Sequence, residues 1–197
     1  ASTVSLSYNK IEKFPSELFT AGSPITSIDL SGNQMRTIPK GSIKGKNAYL
    51  LQVIDLRFNK LTSLSDDFRS TTLPYITNMD VSYNCFSEVP TQPLNSANLR
   101  AFAINHQRDA NENRCLRTWP TGITSCPSLI QFQIGSNDIR KVEEKLTYHL
   151  YIVNIKDNPN ISIDVTSVCP YIKAGAYRLF YDNTQDIRGC DALDLEN

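Results

Sequence analysis

Apolar and polar positions along this chain repeat as one phrase: apolar, two free, apolar, one free, apolar, two free, Asn, one free, apolar, two free, apolar, then often Pro. Residues 25–39, ITSIDLSGNQMRTIP, and residues 76–90, ITNMDVSYNCFSEVP, fit it slot for slot, and LQVIDLRFNKLTSLS at 51–65 fits it up to the Pro. Val4, Leu6, Asn9, Ile11, Phe14 and Pro15 fill the slots at the start of the chain. Leu129, Phe132, Ile134, Asn137, Ile139 and Val142 make a later copy, and Leu150, Val153, Ile155, Asn158 and Ile161 another. One copy is irregular. Leu99, Phe102 and Ile104 open it, Gln107 stands where Asn is expected, and the phrase resumes at Leu116, Trp119 and Pro120, about seven residues late.

The first slots fall at residues 1, 25, 51, 76, 99, 129 and 150, a period of about 25 residues. Each apolar-x-apolar core, such as Ile28 and Leu30 or Met79 and Val81, predicts a short strand with alternate side chains turned inward. One such strand cannot bury its face alone. Stacked copies form a parallel sheet with strands about 4.8 Å apart and one continuous core. Asn carries two donors and an acceptor, so Asn9, Asn33, Asn59, Asn84, Asn137 and Asn158 predict a ladder that satisfies backbone groups between neighbouring turns. Pro15, Pro39, Pro90 and Pro120 begin the return path, and residues such as Phe19 and Phe68 fill the far side of the core.

Period and pattern resemble those of the leucine-rich repeats. The resemblance implies an α/β solenoid: a right-handed arc with a parallel concave sheet and an irregular or short-helical convex side. About seven turns span residues 1–163, with an insertion at 105–114. Residues 164–197 abandon the phrase, with a short helix predicted near Thr166 to Ala174 and a strand-like RLFYD after it. The end turn of a solenoid exposes an apolar face, so this segment is read as a C-terminal cap. The first copy has no comparable cover, which is expected of one piece of a longer protein.

Five cysteines bear on the compartment. Cys169 and Cys190 both lie in the cap, where a bridge would close a loop of about 20 residues and add roughly 3 kcal/mol. Cys85 follows Asn84, and Cys115 takes the same slot in the next copy, so the register predicts a second bridge between them, with two free thiols as the alternative. Cys126 is left over as a small buried hydrophobe. Two disulfides imply an oxidising compartment. The cap wording, the QRDANENR insertion and the LRTWP after it are similar to those of leucine-rich-repeat proteins of gut Bacteroidetes. That resemblance implies an exported protein at the cell surface or outside the cell, with a lipid anchor on a preceding N-terminal region as one route, and an interaction role.

Lys and Arg total 20, as do Asp and Glu, so the formal net charge is zero. This disfavours a nucleic-acid partner and a polybasic membrane contact. No apolar run approaches the roughly 18 residues of a membrane span. No C-x-x-C pair or His near a Cys at ligand spacing predicts zinc, and no cofactor motif is present.

Function in a solenoid is expected on the concave face. There Asp29, Asp55 and Asp80 form an acidic column that calls for a cation or Arg57 nearby, and Phe58, Tyr83 and His106 form an aromatic run. These seven residues are the candidate ligand-binding set, for a protein partner or, as the alternative, a glycan or adhesion ligand. The bland alternatives are a solvated acidic row and aromatics that merely pack on one another. In the insertion, Asp109, Asn111 and Asn113 alternate as in half a calcium loop, but the Gly and distal Glu are missing; a surface excursion held by Asx turns is the alternative. His106, Asp109 and Cys115 form a nominal thiol-nucleophile set within one loop and without an oxyanion device, so the chain is read as a non-enzyme.

Overall fold

The computed structural model describes residues 2–20, 22–44 and 47–191. The first repeat slot at residue 1 and the end of the cap at 192–197 lie outside the described residues.

The predicted cores form strands in the predicted order. They are β1 (Ser2–Ser5), β2 (Ile25–Asp29), β3 (Val53–Asp55), β4 (Asn78–Asp80), β5 (Ala101–Ala103) and β6 (Gln131–Gln133). A two-residue strand β7 (Lys141–Val142) precedes β8 (Ile152–Asn154), and β9 (Ser162–Asp164), β10 (Arg178–Phe180) and β11 (Asp186–Arg188) follow. The main sheet has eight parallel strands in the order β1-β2-β3-β4-β5-β6-β8-β10, and β11, β9 and β7 make a second, three-stranded sheet. The fold is a leucine-rich-repeat solenoid.

The register puts equivalent apolar residues in one file. Ile28, Ile54, Met79, Phe102, Phe132, Val153 and Leu179 are successive partners across the sheet. One slot on, Leu30, Leu56 and Val81 are fully buried, and each donates its N–H to the next rung at 2.9 Å. Short 3-10 turns on the far side carry Phe19, Phe68, Leu94 and Ile123 inward. One core therefore runs the length of the described chain.

The cap is more repeat-like than its wording. Thr166–Val168 is a 3-10 turn and Cys169–Lys173 a short helix α1, near the predicted position. Then β10 joins the main sheet beside β8 in register, so the segment supplies an eighth rung. Cys169 and Cys190 are joined, with their Cα atoms 5.3 Å apart, which ties this rung's return path to α1.

The expected bond between Cys85 and Cys115 is not formed; both are free thiols, as is buried Cys126. Cys115 follows the excursion, and its Sγ is turned to the Phe86 carbonyl at 3.3 Å rather than into a sulfur–sulfur bond.

Candidate functional site

Each buried rung asparagine works alike. Asn59 donates Nδ2 to Leu30 O on the previous rung at 3.0 Å and to Leu56 O on its own at 3.1 Å, while its Oδ1 accepts from Met35 N at 3.1 Å. Asn33, Asn84, Asn137 and Asn158 repeat this set, and Asn9 on the first rung bonds within its own turn. Two glutamines complete the ladder. Gln107 Nε2 reaches Val81 O at 3.0 Å, and its Oε1 accepts from Phe86 N at 2.9 Å. Gln185 Nε2 reaches Ile155 O at 2.7 Å in the cap. The longer amide spans the distance where the turn is irregular. The expected-Asn position at Gln107 was legible as a slot; Gln185 had no such signal.

The residue just before the ladder is left-handed on seven rungs: Tyr8, Gly32, Phe58, Tyr83, His106, Ser136 and Asp157 have φ between 51° and 69°. That backbone turns the next side chain inward, while its own N–H pairs with the neighbouring rung, as in Phe58 N to Ser82 O at 3.2 Å. Glycine takes the slot freely and aspartate tolerates it, as at Gly32 and Asp157. Any other residue with a Cβ there, Ser136 included, pays about 1–2 kcal/mol. Phe58, Tyr83 and His106 nevertheless occupy three consecutive rungs and stack, with centroids 4.3 and 4.4 Å apart and planes 15° and 23° from parallel. Phe58 and Tyr83 each keep 42% of their surface exposed. On the first rung Tyr8 lays its ring over Gly32, where a Cβ would meet it at 2.5 Å.

Burial, with Arg108 adding to it, pulls the His106 imidazole below its ordinary value. The stack borders a depression of about 750 Å³ that also touches Arg36, Lys60, Cys85 and Cys115. Burial pushes both thiols up, the opposite of an activated nucleophile.

Asp29, Asp55 and Asp80 are register partners across β2, β3 and β4. Their charge is largely answered from within. Asp29 accepts from Ser31 N and Oγ at 2.9 and 2.6 Å. Asp55 holds Arg57 Nε and Nη2 at 3.0 and 2.8 Å, and that hydrogen bond foremost keeps the guanidinium charged. Arg57 Nε lies 3.8 Å from Asp80, whose carboxyl burial raises against the hydrogen bonds from Ser82. The predicted Arg57 counter-charge is therefore in place.

The 105–114 excursion is an Asx-turn loop. Asp109 Oδ1 accepts from Asn111 N and Asn113 N at 2.8 and 2.9 Å, and Arg108 bridges Arg114 across its neck. Arg114 Nη2 then meets Asp157 Oδ1 at 2.8 Å, so the loop is anchored two rungs away. Among the described residues no cluster of three metal-ligating side chains occurs, and no helix is long and apolar enough to cross a membrane.

No family model matches the chain. A leucine-rich-repeat protein of Bacteroides thetaiotaomicron is 73% identical over all of this chain, with a TM-score of 0.97; this chain spans 24% of that one. A leucine-rich-repeat protein of Bacteroides eggerthii is 65% identical over 98% of this chain and 32% of its own, with a TM-score of 0.95. Tsukushi of Mus musculus is 30% identical over 81 residues, which are 41% of this chain and 23% of Tsukushi. The Drosophila Toll–Spatzle complex contains a chain with the same fold at 17% identity and a TM-score of 0.59, over 92% of this chain and 21% of its own. This chain thus covers a third or less of each of these relatives. In sequence and in fold it is a leucine-rich-repeat protein, similar throughout to those of Bacteroides.

Proposed function

We propose that the chain is a non-catalytic module that binds a protein partner at the cell surface, through the concave sheet face and the rim of Phe58, Tyr83 and His106. One observation carries this reading. Three stacked rings, Phe58 and Tyr83 exposed and His106 half-buried, stand in left-handed slots that smaller residues fill on neighbouring rungs, at a backbone cost of about 1–2 kcal/mol each. Stacking returns about 0.5–1.5 kcal/mol per pair, so the fold gains little from the rings. Rigid exposed aromatics beside Arg57 are the residue types that anchor protein interfaces. The Toll–Spatzle complex, which contains a chain of the same fold, is a precedent for such a partner. The cap disulfide fits an oxidising location outside the cytosol. Raised thiol values at Cys85 and Cys115 speak against nucleophilic chemistry at the His106 loop.

A glycan stacked on the same rings is less favoured, because Tyr83 already has a neighbour on both faces. The test is quantitative capture of surface proteins by the wild-type chain and by the Phe58→Ala/Tyr83→Ala variant. Loss of a retained partner by about 30-fold or more is expected for a hot spot. Undiminished retention would overturn this siting.

A further inference from the structure

We infer that the sheet face carries a separate site for one neutral sugar ring, in a hollow over β5. Its origin is a change of side-chain length. At the two outward positions of successive strands the partners run Val53, Asn78, Ala101, Gln131 and Asp55, Asp80, Ala103, Gln133. Both rows drop to alanine on the same rung and rise again on the next. Side chains of β4 and β6 therefore face each other across two strand spacings, roughly 10 Å. The hollow between them is about 270 Å³, below the usual size for a drug-like ligand and suited to a single pyranose.

The lining selects for hydroxyl groups. Asn78 and Gln131 make no side-chain hydrogen bond among the described residues, so two primary amides offer donors and acceptors. Gln133 is held in place through its Oε1, which accepts from Asn105 Nδ2 at 3.0 Å. Asn105 is itself fixed by Gly135 N at 2.7 Å. The Gln133 Nε2 hydrogens are thereby left for a ligand. Asp80 offers acceptor oxygen from one wall, and the two alanine methyls form an apolar floor that can meet the C–H face of a sugar.

Charged ligands fit less well. An anion meets Asp55 and Asp80, while a cation must compete with Arg57, which already bridges those carboxylates at 2.8 and 3.8 Å. A hydroxyl both donates and accepts, and so matches a mixed wall of amides and carboxylate. A hydrogen-bonding wall of this kind also discriminates, since a ligand without the matching hydroxyl leaves polar groups unpaired.

The same chemistry is offered by a free monosaccharide and by the terminal residue of a longer glycan. Saturation-transfer NMR on the full chain with methyl glycosides of glucose, galactose, mannose, fucose and N-acetylglucosamine separates the cases when repeated with oligosaccharides ending in the sugar that binds. We expect at least one methyl glycoside to bind in the millimolar range. Ala103→Leu, an outward substitution that fills the hollow, should weaken it by about tenfold or more, and Asp80→Asn should weaken it less. Phe58→Ala/Tyr83→Ala should leave it unchanged, which separates this site from the rim. Circular dichroism and the melting temperature of Ala103→Leu verify that the variant is folded. Failure of every glycoside to bind at about 10 mM, binding indifferent to Ala103→Leu, or displacement by free arginine but by no sugar would each overturn the assignment.

Discussion

Two columns of side chains run along this solenoid one residue apart, and they obey different rules. In the ladder column, Asn33, Asn59, Asn84, Asn137 and Asn158 are buried, and each has its donors and acceptor satisfied by backbone on two rungs. In the column just before it, Tyr8, Gly32, Phe58, Tyr83, His106, Ser136 and Asp157 share one backbone conformation but no side-chain type. The ladder is constrained by what its amides must reach, and departs from Asn only where Gln107 and Gln185 must reach further. The rim is constrained in φ alone. Its side chains are therefore free to vary for a purpose other than folding, and three rungs use that freedom for an aromatic stack, exposed at Phe58 and Tyr83.

The largest expected effect is in the ladder. Asn84→Ala leaves the buried Leu61 N–H without its acceptor and takes one of two donors from each of the Leu56 and Val81 carbonyls, which keep Asn59 and Gln107. We expect about 3 kcal/mol of destabilisation, read as a shift in the urea midpoint at unchanged slope. Removing the cap bond with Cys169→Ser/Cys190→Ser should cost a similar or slightly smaller amount, since the bridge closes 21 residues and the chain-entropy gain is about 3 kcal/mol. Gln107→Asn should cost about 1–2 kcal/mol by denaturant titration, because the shorter amide cannot span to both Val81 O and Phe86 N.

Rim changes should barely register in stability. Phe58→Ala trades a stacked pair for nearly the same left-handed strain, so a loss within about 1 kcal/mol is expected from thermal melts. His106 gives the smallest effect. Its folded value lies below the unfolded one, so the stability it contributes is present above about pH 6.5 and is lost as pH falls through that value toward the folded one. His106→Gln should flatten this part of the melting-temperature profile between neutral and mildly acid pH.

The solenoid was legible because each rung solves the same burial problem with the same spacing. Ile28, Ile54 and Met79 could be placed in one file from their positions alone, and so could the ladder asparagines. Four things were not legible. The cap's eighth rung was hidden because Leu179 and Gln185 keep the roles of the repeat but not its spacing. The Cys85–Cys115 bond was expected from a shared slot, whereas bond formation depends on where each sulfur points, and Cys115 points to a carbonyl. The acidic column was visible, but its balance by Arg57 at 2.8 Å from Asp55 needed coordinates. The hollow over β5 could not be seen rung by rung, because alanine is unremarkable until its neighbours in register are known.

One pair of adjacent substitutions tests the separation of the columns without any partner: the melting temperatures of Tyr83→Gly and Asn84→Gly. A domain of this size loses about 2–4 °C per kcal/mol. Tyr83→Gly relieves left-handed strain as it removes the stack, so its melting temperature should stay within about 3 °C of wild type. Asn84→Gly should fall by about 6–12 °C or more. Equal losses for the two would contradict the account, because the stacked rim would then be part of what holds the solenoid together.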